Sequence, residues 1–326
     1  FGQRPFTFTP PEGYQSLGFA NISPTPVKIT KPEKHFACLK YTGDGSSNNR
    51  VTGLQFKPDL VWIKSISATT DNIVQDSVRG NFILYPNRTD ADGATGGGWV
   101  KSFNPDGFTT DVNAPINTNS ATYSAWCWKA GGSSNNFNID DVGYANATAA
   151  GLDGGTANPT GASVNTKAGF SIISYTATNN QNVSYSHGLN QAPEIIITKD
   201  RDNSRNWGVY YTIAGTNTNW MSLNATDAVG SNDSGITPVG GSSGTYMYLH
   251  QDYFSPAYNS YANGGNDGND KMIAYMWHSV PGYSKMGSYY GNGNNDGKFV
   301  YTGFRPAFIL LKRHTDAANY WEIRDN

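Results

Sequence analysis

Phe56-Lys-Pro-Asp-Leu-Val-Trp-Ile-Lys64 is the stretch on which the fold turns. Proline has no amide hydrogen to give a central ladder, so Pro58 marks where a strand begins. The unbroken apolar run behind it reads as a strand covered on both faces. The phrase recurs as Gln191-Ala-Pro-Glu-Ile-Ile-Ile-Thr-Lys199 and as Phe304-Arg-Pro-Ala-Phe-Ile-Leu-Leu-Lys312. Each copy ends at lysine. The prolines are 193 − 58 = 135 and 306 − 193 = 113 positions apart, roughly the size of a β-sandwich domain of about 100 residues.

Working outward, an aromatic strand with a polar turn precedes each phrase. The copies read Phe36-Ala-Cys-Leu-Lys-Tyr-Thr-Gly-Asp-Gly45, Phe170-Ser-Ile-Ile-Ser-Tyr-Thr-Ala-Thr178 and Gly287-Ser-Tyr-Tyr-Gly-Asn-Gly293. Two closing strands follow, Tyr123-Ser-Ala-Trp-Cys-Trp128 and Met272-Ile-Ala-Tyr-Met-Trp277, and the third phrase has none. The fold class expected is all-β, with tandem β-sandwich domains joined by Gly/Asn/Pro-rich linkers. Residues 1–35 read as the end of a preceding domain plus linker, and 36–132 as a first repeat. A low-complexity spacer spans 133–167, a second repeat 168–282, and a truncated third 283–326. The chain is expected to be a piece of a longer polypeptide, cut at both ends. Pro58 is expected to match Pro193 in space, and Trp128 to match Trp277. No window carries apolar residues at helical spacing for long enough to predict a helix.

Composition narrows the function. Charged residues make up 15% of the 326 and aromatics 13%, with 20 Tyr, 8 Trp and 37 Gly. Solubility therefore rests on amides and hydroxyls, and the aromatics supply surface to bury. Net charge is −2 with no Lys/Arg run, so the clustered cations that phosphate contact needs are missing and no nucleic acid is expected. No apolar stretch reaches the roughly 20 residues of a membrane span.

Candidate chemistry is sparse, and no catalytic, metal or cofactor site is predicted. His35, His187, His250, His278 and His314 are scattered without ligand spacing and read as surface or turn residues. Most carboxylates sit beside Gly or Asn, as turn formers do, and none is expected against an apolar wall. A glycosidase pair is therefore not expected. The loop Asn292-Gly-Asn-Asn-Asp-Gly297 supplies oxygens but reads as a hairpin turn rather than a calcium site. Asp76 with Arg79, and Arg324 with Asp325, read as strand-end polar pairs. Cys38 and Cys127 are either two buried thiols or a disulfide joining the first and last strands of one domain. For binding, the candidates are Trp99, in Gly96-Gly-Gly-Trp99, and Trp220, after Thr216-Asn-Thr-Asn219. An aromatic ring flanked by amides suits stacking on a sugar.

Four phrases carry a resemblance: Phe56 to Lys64, Asp76-Ser-Val-Arg-Gly80, Asp106-Gly-Phe108, and Gly282-Tyr-Ser-Lys-Met-Gly-Ser-Tyr-Tyr-Gly-Asn-Gly293 leading into Tyr301-Thr-Gly-Phe-Arg-Pro306. Together they resemble a β-domain family repeated in tail fibres and other virion proteins of marine phages and prophages, over most of 36–326. Phe1-Gly-Gln-Arg-Pro-Phe6 and Pro10-Pro-Glu-Gly-Tyr14 are similar to the last strand of a SPRY/concanavalin-like lectin domain. The second copy departs from the pattern, with Trp207-Gly-Val-Tyr210 in place of the Asp-Ser-Val-Arg-Gly phrase. The resemblance implies a non-enzymatic virion structural protein, a tail fibre segment for adhesion to a host cell-surface glycan or receptor. Its expected partners are itself, as a trimer or other homo-oligomer, and other virion proteins, at an extracellular location. The competing readings are a carbohydrate-binding module of a secreted glycan-active protein and a capsid decoration fibre.

Overall fold

The computed structural model describes residues 28–93, 99–112, 114–178, 183–212, 218–228, 248–249, 253–255, 268–316 and 319–326. Of residues 114, 212, 218–220, 248–249 and 253–255 only the backbone is described. The described chain is mostly β, with several antiparallel sheets and almost no helix. Its short helical turns are Pro32–Lys34 and Ala114–Asn117.

The first strands are β1 (Phe36–Thr42), β2 (Asn49–Thr52), β3 (Leu60–Ser65), β4 (Ile73–Asp76), β5 (Val100–Asn104), β6 (Gly107–Thr110) and β7 (Thr122–Trp128). Then come β8 (Phe137–Ile139), β9 (Val142–Tyr144), β10 (Gly161–Asn165), β11 (Phe170–Thr176), β12 (Tyr185–Ser186) and β13 (Ile195–Asp200). The last are β14 (Gly208–Thr212), β15 (Thr218–Ser222), β16 (Tyr248–Leu249), β17 (Tyr253–Ser255), β18 (Lys271–Trp277), β19 (Phe308–Leu311) and β20 (Glu322–Asp325).

Two sets of strands share one plan. A four-stranded sheet runs β1-β7-β3-β4 with a three-stranded sheet β2-β6-β5. The eight-stranded sheet contains β14-β13-β18-β11 in the corresponding order, and the strands β12-β17-β16 form a three-stranded companion. The ladders match residue for residue. Trp128 stands opposite Phe36 and Leu60, and Trp277 opposite Phe170 and Ile195. Pro58 and Pro193 each lie two residues before the third strand of their set. The larger sheet also carries β15 at one edge and β10, β8 and β9 at the other. These last three come from the stretch expected to be a spacer, where Phe137, Ala162 and Val164 are buried. A few well-placed apolar residues are enough for short strands once a sheet edge is there to pair with. In this set only β8 and β10 run parallel.

Both faces of the central strands are covered. Val61 and Ile63 share a core with Val51, Val100 and Phe108 of the small sheet. Leu60 and Trp62 point the other way, into a core with Trp126, Trp128, Phe170, Ile197 and Tyr275. That third core is built by both large sheets together, so the two sets pack face to face. Burying each large apolar side chain contributes about 1.5–3 kcal/mol, which binds the sheets more firmly than any linker.

The lysine ending each phrase has a structural task. Lys64 Nζ donates to the carbonyls of Ser65 (3.0 Å) and Ala68 (3.4 Å). Lys199 Nζ does the same to Asp200 (2.6 Å) and Asn203 (3.2 Å), and Lys312 Nζ reaches the Asn319 carbonyl. In each copy the ammonium satisfies carbonyls in the turn leaving the strand.

The third copy is a hairpin, β19 on β20, with Phe308 opposite Asp325 as Leu60 is opposite Asp76. Phe308, Trp321 and Ile323 pack against the shared core. Residues 285–307 lie outside any strand. In the two larger sets the closing strand sits between the first strand and the third, and β11 pairs with β10 on its other side.

Candidate functional site

One cluster of charges lies between the two sheets. Asp76 ends β4, and its Oδ1 accepts from the amides of Val78 (3.0 Å) and Arg79 (2.8 Å). This tight turn carries Gly80 at φ +70, a left-handed conformation that glycine adopts without strain. The turn folds Arg79 back, so that Nε meets Asp76 Oδ2 at 2.6 Å with both side chains fully buried. Arg79 Nη1 meets Asp92 Oδ1 at 2.8 Å, and Arg201 Nε meets Asp92 Oδ2 at 2.5 Å. From the second set, the Tyr275 hydroxyl donates to Asp76 Oδ2 at 2.6 Å, and Arg79 Nη2 donates to that hydroxyl at 3.2 Å. Burial opposes the guanidinium's charge, but Asp76, Tyr275 and Asp92 outweigh it and hold Arg79 charged well above its ordinary range. Burial pushes the Tyr275 hydroxyl well up. Each charge is matched, and Asp76, Arg79 and Tyr275 are buried, so the cluster acts as a clamp between the sheets.

Asp59 is a second buried acid. Its oxygens accept from Ser77 Oγ (2.8 Å), Ser163 Oγ (3.0 Å) and the amides of Ala130 (2.8 Å) and Gly132 (3.1 Å). Burial raises its pKa against those four bonds. Glu194 holds the same place in the second set, where its Oε2 accepts from the Ser279 amide at 2.5 Å. The acid after each of the first two shared prolines thus ties down the chain leaving the closing strand. The expectation that no carboxylate lies against apolar walls is corrected here. The Pro-Asp and Pro-Glu pairs carried the signal, but the anchoring partners lie about 70 residues away or more in sequence (|i−j| 71 and 85).

Other expected residues fall as follows. Trp99 is 6% exposed, part of the first core and edge-on to Tyr85 at 6.0 Å, so it offers no face to a sugar. Trp220 lies on β15 opposite Tyr210, and its side chain is outside the described residues. His187 and His278 are buried rather than on the surface. Both cysteines are free. Cys127 stands opposite Ala37 and Cys38 opposite Trp126, so their side chains leave opposite faces of the sheet. Arg324 pairs with Glu322 at 2.9 Å, while Asp325 accepts from Trp126 Nε1 at 2.9 Å. In the Asn292 to Gly297 turn, Asn292 Nδ2 donates to the Asp296 carbonyl at 3.0 Å. Among the described residues no three His, Cys, Asp or Glu side chains converge as metal ligands. No described helix is long and apolar enough to cross a membrane.

Two surface features remain. One is a shallow groove of about 190 Å³ lined by Lys57, Ser77, Asn81, Lys101, Ser133 and Asn135, among others, with no carboxylate in its wall. It offers donors to hydroxyls but no acid–base pair. The other is the aromatic stretch before β19, where Tyr290 is 83% exposed and Phe299 and Tyr301 nearly as much. The Tyr-Tyr-Gly-Asn-Gly phrase announced the aromatics, and the structure leaves them exposed.

The family model described as a domain of unknown function (DUF7483) matches residues 31–326. The chain belongs to the DUF7483 family. The match runs through both sheet sets, the stretch between them and the third hairpin, and leaves residues 1–30 outside. For DUF7483, then, the matched unit takes in the shared core and the clamp at Arg79. No curated protein and no solved structure matches the chain.

Proposed function

We propose that this chain is a non-enzymatic structural segment of a phage virion fibre, built from tandem β-sandwich repeats, which presents loops to a host cell-surface receptor. The observation that carries the reading is the matched ladder of the two sets, Trp128 on Phe36 and Leu60, Trp277 on Phe170 and Ile195. Repeats of one unit that share a core give a stiff rod, and symmetric bundling with other copies gives it length and stability. The low charge and amide-rich loops support an extracellular setting, with other virion proteins as neighbours. A capsid decoration fibre is the same reading with a different attachment point.

A second reading, a carbohydrate-binding module, is favoured by the acid-free groove at Lys57 and Asn81. It needs no particle. Gold-labelled antibody against residues 31–326, applied to phage particles from a producing host, decides between them. Label along fibres is expected. Label absent from every particle, with the protein free in the medium, overturns the fibre.

A further inference from the structure

The groove at Lys57 and Asn81 is assembled from three pieces of the first set: the turn after β4, the strand β5, and the chain leaving β7. Two fully buried side chains fasten these pieces together. Gln75 on β4 donates from Nε2 to the carbonyls of Gly80 (3.0 Å) and Val100 (2.7 Å), and its Oε1 accepts from the Val100 amide at 2.9 Å. That joins the turn to β5. Asp59 accepts from Ser77 Oγ and from the amides of Ala130 and Gly132, which joins the turn to the chain running into Ser133. The walls are thus spaced by buried bonds before any ligand arrives.

Charge on the groove wall has one sign. It contains Lys57 and Lys101 and no carboxylate. Lys57 Nζ donates to the Ser133 carbonyl (3.3 Å) and Ser134 Oγ (3.2 Å). Lys101 Nζ donates to the Ser47 carbonyl (3.2 Å) and Asn48 Oδ1 (3.1 Å). These bonds steady both ammoniums on neutral oxygens and leave each a further N–H to offer. Asn81 and Asn135 add amides, and Phe103 adds an apolar surface. The volume of about 190 Å³ is below the roughly 300 Å³ of a small ordinary ligand pocket, which suits a single ring. The second set has no such wall. Ala192 stands before its shared proline where Lys57 stands in the first, and the Asp-Ser-Val-Arg-Gly turn is missing.

We propose that this groove binds one uronate residue of an acidic polysaccharide. The sign of the wall asks for an anion and its amides ask for hydroxyls, and a uronate carries both. Its carboxylate is drawn to the ammoniums, its hydroxyls bond the amides of Asn81 and Asn135, and its C–H face packs on Phe103.

The inference rests on the carbohydrate reading and names the ligand of its groove. The test uses the whole 326-residue chain with trisaccharides of galacturonate and of glucuronate, each as the free acid and as the uncharged methyl ester. Calorimetry gives the affinity, and amide chemical shifts at Gly80, Asn81, Ser102 and Asn135 give the place. At least one free acid is expected to bind there, less tightly as salt rises, and its ester about tenfold more weakly. Lys57→Ala and Lys101→Ala should each weaken the acid to a similar degree. Lys40→Ala on β1, whose side chain does not line the groove, should not. Equal binding of acid and ester leaves a carbohydrate site and overturns the acidic ligand. Inorganic phosphate bound as tightly as the uronates overturns the sugar. No shift at these amides with any probe overturns the inference and removes the groove as a ground for the carbohydrate reading, while particle labelling still decides the fibre by itself.

Discussion

Trp128 and Trp277 stand with their ring centroids 6.3 Å apart, nearly edge to face, at the same ladder position of two sheets that face each other. Each closes its own set, against Phe36 in one and Phe170 in the other. The pair is where the two sheet sets become one core.

Truncating either ring should therefore be felt by both sets. Trp128→Ala and Trp277→Ala are each expected to cost about 3–5 kcal/mol in urea unfolding. The double variant should cost less than the sum, because the rings touch. Wild-type protein should unfold in one transition by fluorescence and by circular dichroism. Two separated transitions, with each variant moving only one, would show independent sets.

The clamp at Arg79 gives an ordered pair of effects. Tyr275→Phe removes the hydroxyl between Asp76 and Arg79 and is expected to cost about 1–3 kcal/mol. Arg79→Met leaves the buried Asp76 carboxylate without its cation and should cost more, about 3–5 kcal/mol. Equal stability of Arg79→Met and wild type by thermal unfolding would remove the clamp from the account.

Lys199 sets a pH dependence. Burial, partly offset by Asp200 and other carboxylates, lowers its pKa to about 8. The unfolded chain keeps the ordinary lysine value near 10.4. Between these values the unfolded state binds more protons, so its term raises stability as pH climbs from about 8 to about 10. Below that window the buried charge is a standing cost. Raised tyrosines act in the opposite sense at the top of the range, so the readout is a difference. Stability of wild type minus Lys199→Met, measured by urea unfolding from pH 7 to 10.5, should increase through the window. A flat difference contradicts it.

The two thiols should resist both oxidation and labelling. Burial, with the Asp325 charge beside it, pushes Cys38 up to about 12, and burial pushes Cys127 up as well. A thiol reagent at pH 8 is expected to find few thiolates in native protein and two free thiols in urea. Intact mass after air exposure should show no loss of two hydrogens. A single fast-reacting thiol in the native protein would contradict the burial of Cys38.

Binding without turnover is expected on host polysaccharides. Incubation should release no reducing ends, and Tyr290→Ala should weaken retention on a glycan surface several-fold, because it removes an exposed ring face. Retention unchanged in Tyr290→Ala moves the contact elsewhere, and Lys57→Ala then tests the groove.

Strands, their starts and their kinship were legible in the chain itself. Pro58, Pro193 and Pro306 set strand starts because a missing amide hydrogen is a local fact. The runs after Pro58 and Pro193 stated burial on both faces, because alternation is lost when neither side meets water, whereas in the run after Pro306 Ile309 is 39% exposed. Even the pairing of Trp128 with Trp277 as equivalents was written in the repeated phrase. Which residues the carboxylates of Asp59 and Asp76 would meet was not, since Ala130 and Tyr275 lie far along the chain. The same holds for Trp99, whose glycine-rich flank suggests a surface ring while the fold packs it edge-on to Tyr85 in the core. Only tertiary structure decided that the two sets would face each other and fuse their aromatic faces, because local periodicity says that a face is apolar and not what covers it. Tertiary structure also decided that Tyr290 would stand in solvent, because exposure depends on what packs over a residue and not on its neighbours in sequence.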